Sequence, residues 1–428
     1  MNAFHILDDR GFLYQHTDRD VLEKHLAENQ VTFYVGFDPT ADSLHIGHLL
    51  PIMAMRLLQK AGHRAIALVG GATAMVGDPS GKTEARPILT AEDISANAEA
   101  IKKQMAKYLD FNDGKALLLN NADWLGSLNY IDFLRDFGRH FSVNRMLQAE
   151  SVKLRLETGL SFLEFNYMLL QAYDFYALEK DYGCTLQLGG QDQWGNIVAG
   201  IDATRRVSQK EVYGATFPLL LKSDGEKFGK TASGAVWLDP KRTSPYHYYQ
   251  FWRNVEDCEV GKLLGFFTNL PMDEVRGLSA LEAPAINRAK EILAFEATRL
   301  AHGDAEAAKA YQAAGAEFGF ADPENTIATS SAVTAVHLKT THDDLPTHTV
   351  TAADLAAGIW VVKLFVDAGL CKSNGEARRL IKGGGCYLNG DRITDDTLSV
   401  TAALLEDAQI MLRAGKKNIR RVVTDLKS

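Results

Sequence analysis

No run of about 18 apolar residues occurs in this 428-residue chain, so no transmembrane helix is expected. The opening MNAFHILDDRGFLYQ lacks a basic stretch leading into an apolar core, so no secretory signal is expected. Cysteine is sparse. Cys184, Cys258, Cys371 and Cys386 lie far apart with no CxxC, which excludes a zinc ribbon or disulfide framework and suits a reducing, cytoplasmic setting. A basic excess is also lacking: the formal net charge is −8. The deficit is uneven, because residues 351–428 hold 12 Lys/Arg against 9 Asp/Glu. A locally basic tail on an acidic body suits either an RNA-binding module or ordinary surface variation. The chain shows no internal repeat. With 46% hydrophobic and 23% charged residues, its composition is that of a globular protein of two or three domains.

What is present begins with alternation. VTFYVGF (31–37) is β-branched and aromatic and predicts a buried strand. HIGHLLPIMAMRLLQKAG (45–62) predicts a helix ended by Gly62, in which Pro51 fits the first turns and would kink a later one. Strands are predicted over 63–71, 115–122 and 184–190, and helices over 91–109 (capped by Thr90), 129–141, 161–183 and 191–207. This β-α-β-α-β order predicts an α/β, Rossmann-like parallel sheet with ligands at the carboxyl ends of its strands. Residues 244–320 read as helical. The Thr-, Ser- and Asp-rich stretch 321–351 reads as a linker, and the remainder as a small compact unit.

Four constellations carry chemistry. In FDPTADSLHIGHLLP (37–51), His45 and His48 stand at i,i+3 with no third ligand, unlike an HEXXH zinc site. The polar turn Asp38-Pro39-Thr40 precedes a helix N-terminus whose free N–H groups suit phosphate, and Gly47 opens that helix to a flat group. A bonded core histidine is the competing reading. MVGDPSGKTEAR (75–86) fails the Walker A spacing because Val76 stands where glycine is required; taken alone, a loop carrying Lys82 and Arg86 reads equally as solvated surface. In KSDGEKFGKTASG (222–234), Lys227, Lys230 and Thr231 lie between glycines on a segment suited to closing over polyphosphate, although a basic hairpin turn would look the same. In YMLLQAYD (167–174), Tyr167, Gln171 and Asp174 share one face of an otherwise apolar helix, which is costly unless that face meets a polar ligand. GGQDQWGN (189–196) places Asp192 and Gln193 at a further strand-to-helix turn.

Together, YVGFDPTADSLHIGH, YMLLQAYD, GGQDQWGN and KFGKT resemble the bacterial tyrosyl-tRNA synthetases, class I enzymes whose signature is HIGH and whose KMSKS loop here reads KFGKT. The resemblance spans nearly the whole chain. It implies activation of L-tyrosine by ATP, with Mg²⁺, and transfer to tRNA(Tyr) by a cytoplasmic homodimer with its interface around residues 120–165 and no protein-bound structural metal. It assigns Thr40, His45, Lys82, Arg86, Lys227, Lys230 and Thr231 to the outgoing pyrophosphate. His48, Gly47 and Gly36 fall to the adenosine and Asp192 to the ribose. Asp78, Tyr167, Gln171, Gln193 and Asp38 are assigned around the tyrosine ammonium and carboxylate, and Tyr34 with Asp174 to its hydroxyl. Val35 and Gln191 depart from the commoner Cys and Ser.

IWVVKLFVDAGLCKSNGEARRLIKGGGCYLNG (359–390) resembles a small RNA-binding module found in a ribosomal protein and in pseudouridine synthases, in which Arg378, Arg379, Lys382 and the RAGKKNIRR cluster with Lys416 and Lys417 would meet phosphates. The implied division is a catalytic domain over 1–220 with a dimer-interface insertion, a helical domain over 221–320 carrying KFGKT, a linker over 321–350 and an α+β RNA-binding domain over 351–428. Rival readings are a tryptophanyl-tRNA synthetase, an HxGH nucleotidylyltransferase and an RNA-binding scaffold.

Overall fold

Six strands build the sheet that positions the site: β1 (Gln15–His16), β2 (Thr32–Phe37), β3 (Arg64–Val69), β4 (Ala116–Asn120), β5 (Cys184–Gly190) and β6 (Tyr213–Phe217). Their order is β1-β6-β5-β2-β3-β4. β2 to β6 run parallel, and only β1 is antiparallel, on β6. The chain steps outward from β2 through β3 to β4, then returns to the other side of β2 for β5 and β6. The order therefore reverses between β2 and β5, which opens a crevice at their carboxyl ends. β3 is apolar almost throughout and buried along most of its length, as a strand covered on both faces must be. The computed structural model describes residues 2–78, 90–221, 228–231, 234–338, 345–406, 408–415 and 418–425. The positions expected at Lys82, Arg86, Lys227, Lys416 and Lys417 lie outside the described residues, as do the side chains of Lys230 and Thr231.

The helix Ile46–Lys60 connects β2 to β3 and buries Ile46, Leu49, Leu50, Met53 and Leu57 at helical spacing. Pro51 lies within it; having no N–H, it leaves the Gly47 carbonyl without its intrahelical donor. The helix expected over 129–141 is shorter, Tyr130–Asp136, followed by a 3₁₀ turn at Gly138–His140, because glycine favours the helix interior poorly. Two N-terminal helices, Ala3–Asp9 and Arg19–Glu28, were not foreseen. Each is short and depends on a side-chain cap, Asn2 for the first and Asp18 for the second.

The chain folds as two compact units, Met1–Thr243 with Asp257–Ala280, and Ser244–Glu256 with Leu281–Ser428. The stretch expected to be continuously helical is thus shared between them. Val260–Phe267 belongs to the first unit because Phe266 packs edge-on against Phe12, ring centres 4.9 Å apart, and the Arg10 guanidinium donates to the Gly265, Thr268 and Leu270 carbonyls.

In the second unit, the helices Pro245–Arg253, Ile286–His302 and Asp304–Phe318 pack through fully buried Trp252, Tyr249 and Tyr311. A five-stranded sheet follows, with Thr347–Val350 lying parallel to Asn418–Thr424 at one edge. The stretch read as linker therefore ends in a strand, and its earlier part buries Asp322 and Ser331. Local pattern does not reveal this, since the strand's partner lies some seventy residues downstream. Helices Val361–Asp367 and Asn374–Lys382 complete this module around Val362, Phe365, Ile381 and Leu412.

Candidate active site

The crevice at the switch point is a cavity of about 700 Å³. Tyr34, Gly36, Asp38 and Thr40 line it from β2 and the turn after it, and His45, Gly47 and His48 from the following helix. Asp78, Tyr167, Gln171, Asp174, Asp192 and Gln193 line it as well, so every expected tyrosine- or nucleotide-site residue whose side chain is described faces one space.

The two histidines cap their own helix. Gly47 N–H donates to His45 Nδ1 at 3.0 Å, and His45 N–H donates to His48 Nδ1 at 3.2 Å. A backbone N–H needs a lone pair, so both Nδ1 atoms are unprotonated and the neutral rings carry their proton on Nε2. The rings lie 3.9 Å apart. Desolvation, with neighbouring His45, lowers the His48 pKa to about 3, so this ring is neutral at physiological pH and presents Nε2–H as a donor. A Cβ on Gly47 would stand 2.8 Å from His45 Cε1. Glycine is therefore required for the pair to hold this arrangement, a tighter reason than access for a flat ligand.

At the floor, Asp174 is buried and accepts from Asn121 Nδ2 at 3.0 Å and Trp124 Nε1 at 2.8 Å. Burial nevertheless raises its pKa to about 7, the two donors only partly opposing it. Among the described residues the buried Tyr34 hydroxyl has no hydrogen-bond partner, and desolvation first, then Asp174, raises its pKa well above the usual phenol value. A buried donor without a described acceptor, near a carboxylate held by two other donors, has the chemistry to receive a further hydroxyl. Sequence reading missed Asn121 and Trp124, which follow the carboxyl end of β4, and Thr73, which accepts from Asn121 at 2.9 Å. It also missed Gln187, whose buried Oε1 has no partner among the described residues and which pairs in register with Tyr34. A glutamine inside the apolar strand CTLQLGG was the available signal.

Elsewhere in the lining, Gln193 Nε2 donates to Asp78 at 2.7 Å, and Asn196 Nδ2 bridges Gln171 Oε1 and Gln193 Oε1, each at 3.1 Å. Asn196, also missed, thereby orients both glutamines. Gly190 allows the turn: a Cβ there would stand 2.5 Å from Asp192 Oδ1.

The KFGKT segment meets the histidine turn. Ile46 N–H donates to Val236 O and Val236 N–H to Gly229 O, both at 3.0 Å. A Cβ on Gly229 would come within 3.5 Å of Gly47 N. Phe228 and Gly229 line the cavity, and the backbone of Lys230–Thr231 pairs with Gly234–Ala235. Trp237 packs edge-on against His45 at 5.8 Å, and Arg242 lies over Trp237 while pairing with Asp42. The loop root is thus fixed to the histidine turn.

In the C-terminal module, Arg378, Arg379 and Lys382 are exposed on one helix. Arg378 and Lys382 share Asp396 at 3.6 and 3.4 Å, which offsets part of their charge. Arg420, expected among the phosphate contacts, instead donates to the Ala368 carbonyl and lies 3.2 Å from His247 Nε2. Among the described residues, no group of three or more His, Cys, Asp and Glu side chains could hold a metal ion.

Comparison with known proteins agrees with this geometry. The family model "tRNA synthetases class I (W and Y)" matches residues 26–319, and "Tyrosine--tRNA ligase SYY-like C-terminal domain" matches residues 337–422. The chain is 53% identical over 431 residues to a tyrosine--tRNA ligase of Desulfosudis oleivorans, covering 99% of each. It is 52% identical over 424 residues to one of Clostridium botulinum, covering 99% of this chain and 100% of that one. Among solved structures, a C-terminally truncated mitochondrial tyrosyl-tRNA synthetase of Aspergillus nidulans superposes with TM-score 0.65 at 33% identity, over 72% of this chain and 92% of that one. A tryptophanyl-tRNA synthetase of Giardia lamblia shares the fold with TM-score 0.54 at 15% identity, over 71% of this chain and 88% of that one.

Proposed function

The chain belongs to the class I tRNA synthetases of the W and Y group, in the branch of the tyrosine--tRNA ligases, and from that premise we propose how its residues divide the reaction. It is an ATP-dependent ligase that joins L-tyrosine to tRNA. The observation that carries the choice of tyrosine is the buried pair Tyr34–Asp174, an unmet phenol beside a carboxylate. The tyrosine hydroxyl donates to Asp174 and accepts from Tyr34. The Asp78–Gln193–Asn196–Gln171 network and Tyr167 hold the ammonium and carboxylate end, with Asp38 nearby.

The tyrosine carboxylate is ionised at neutral pH and needs no general base. It attacks the α-phosphorus in line, forming a C–O–P anhydride as the bond to the β-phosphate breaks and pyrophosphate departs. Catalysis is then positioning and charge stabilisation. His45 Nε2–H and the Thr40 hydroxyl serve the departing phosphates, and Lys82, Arg86, Lys227, Lys230 and Thr231 close over them. Gly36, Gly47 and His48 border the adenosine, and Asp192 takes the ribose. The triphosphate itself would hold Mg²⁺, an ion usually bound by substrate phosphates and few carboxylates, which would offset phosphate charge. A terminal ribose hydroxyl of tRNA(Tyr) then attacks the acyl carbon and releases AMP, while residues 351–428, with the strand Thr347–Val350 in their sheet, hold the RNA. The catalytic domain is the first compact unit, Met1–Thr243 with Asp257–Ala280. The cytoplasm is the compartment of this work, and no described helix is long and apolar enough to cross a membrane.

The unit is a homodimer. Tyr130, Ile131, Val143, Leu156, Phe162 (73% exposed) and Leu163 are large apolar side chains exposed within residues 130–163, a concentration along the chain suited to contact with a second copy. Phe162→Glu is expected to shift sedimentation from dimer to monomer at micromolar concentration; an unchanged dimer would remove this stretch from the interface.

Pyrophosphate exchange into ATP, run with each amino acid in turn, tests the activity: exchange with tyrosine alone is expected, and exchange with tryptophan instead would overturn it. Tyr34→Phe separates binding from folding. It removes an unpaired buried hydroxyl, so the free protein is expected to hold or gain about 1 kcal/mol by denaturant melts. Tyrosine affinity is expected to fall about tenfold by calorimetry.

A further inference from the structure

Arg420 stands on the strand Asn418–Thr424 of the C-terminal module, within the basic stretch expected to meet RNA, yet its guanidinium is turned away from that task. Nε donates to the Ala368 carbonyl at 2.9 Å, and Nη1 donates to the Ile419 carbonyl at 3.2 Å and reaches His247 Nε2 at 3.2 Å. His247 lies in the first turn of the helix Pro245–Arg253, more than a hundred residues before the module. A guanidinium has donors only, so His247 Nε2 accepts and Nδ1 carries the ring proton. Nδ1–H then donates to Ser244 Oγ at 2.8 Å, and Ser244 Oγ also accepts from His247 N–H as the helix cap. Desolvation and Arg420 together lower the His247 pKa to about 4, which keeps the ring neutral and able to accept.

The segment leading to the module is held by other bonds of the same kind. Arg288 is fully buried; it donates to Asn325 Oδ1 at 2.6 Å and to the Tyr311 hydroxyl at 2.9 Å. Glu291 accepts from Ala321 N–H at 2.9 Å, Glu296 from Ser331 Oγ at 2.6 Å, and Gln312 donates to the His337 carbonyl at 2.7 Å. Residues 321–337 are therefore bonded onto the helices Ile286–His302 and Asp304–Phe318, and Arg420 supplies a separate hold on the module itself.

We propose that Arg420 is a positioning residue that docks the C-terminal module onto the Ser244–His247 helix turn, so that transfer to tRNA depends on this contact while tyrosine activation does not. Every described residue lining the cavity read as the tyrosine and ATP site belongs to the first unit, so activation has no need of the module. An RNA bound by an undocked module would sample many orientations, and the loss would appear in transfer. The proposal rests on the module's reading as an RNA-binding domain.

The test uses the full-length protein with saturating tyrosine and ATP and a tRNA(Tyr) transcript. His247→Ala and Arg420→Ala are each expected to lower kcat/KM for tRNA about tenfold, the double variant no further than either alone, with tyrosine-dependent pyrophosphate exchange unchanged. His247→Gln, whose amide oxygen replaces Nε2 as acceptor, is expected to restore transfer; this folded, conservative variant keeps the test valid if an alanine variant melts. Normal transfer by His247→Ala, additive losses in the double variant, or a parallel fall in exchange would each overturn the docking role. A wild-type protein that exchanges pyrophosphate with tyrosine but never charges the transcript would instead refute the RNA reading.

Discussion

Replacing Asp174 by alanine is expected to lower kcat/KM for tyrosine on the order of 100-fold and to cut the preference for tyrosine over phenylalanine by a similar factor. The carboxylate is buried, so a hydrogen bond to it is worth about 1.5–3 kcal/mol. In the wild-type protein, phenylalanine would leave the Tyr34 hydroxyl unmet and Asp174 with only its Asn121 and Trp124 donors. In the variant the charged half of that penalty is gone. Pyrophosphate exchange with both amino acids reads the ratio; an unchanged ratio would show that the hydroxyl is sensed elsewhere. The wild type also carries a pH signature. Asp174 has a pKa near 7 because burial disfavours its charge. The tyrosine O–H donates best to the ionised form, so the competent fraction falls as pH drops through 7. Tyrosine affinity is then expected to weaken about tenfold between pH 8 and pH 6. Asp174→Asn should abolish that slope, because an amide does not titrate in this range.

Gly47→Ala is the second large effect. An added Cβ would stand 2.8 Å from His45 Cε1 and 3.0 Å from Nδ1. The ring has little room to yield, since it accepts from Gly47 N–H, lies 3.9 Å from the His48 ring and meets Trp237 edge-on. It must turn, and under the proposed role its Nε2–H would then be misplaced for the departing phosphates. A displacement of about 1 Å in such a group costs roughly 100-fold in rate. The rate of adenylate formation in stopped flow is expected to fall by that factor, while tyrosine affinity holds within twofold because the Tyr34–Asp174 floor is untouched. Equal losses in rate and affinity would contradict a role confined to the phosphates.

How much of this was legible beforehand differs from residue to residue. Tyr167, Gln171 and Asp174 were readable because helical spacing alone puts them on one face, and polar groups on an apolar face ask for a ligand. His45, Gly47 and His48 were readable as a strand-to-helix turn, yet the reason for the glycine was not. Its neighbour is the ring two residues back, and only folded coordinates show how close that ring lies. Asn121 and Trp124 fall near the end of β4 in a stretch that looks like any short helix start; their meaning comes from Asp174, fifty residues away.

The sequence by itself determined the alternating strands and helices, the two histidines at a helix start, the polar face of the long helix and the locally basic C-terminal end. These depend on local periodicity and composition, which act within a few residues. Only the tertiary structure decided that β2 and β5 flank the reversal in strand order, that the KFGKT backbone lies against Gly47, and that Arg420 faces a histidine rather than solvent. Each of those depends on which distant segments pack together. Packing is settled by the summed burial of the whole chain, and no single stretch carries that sum.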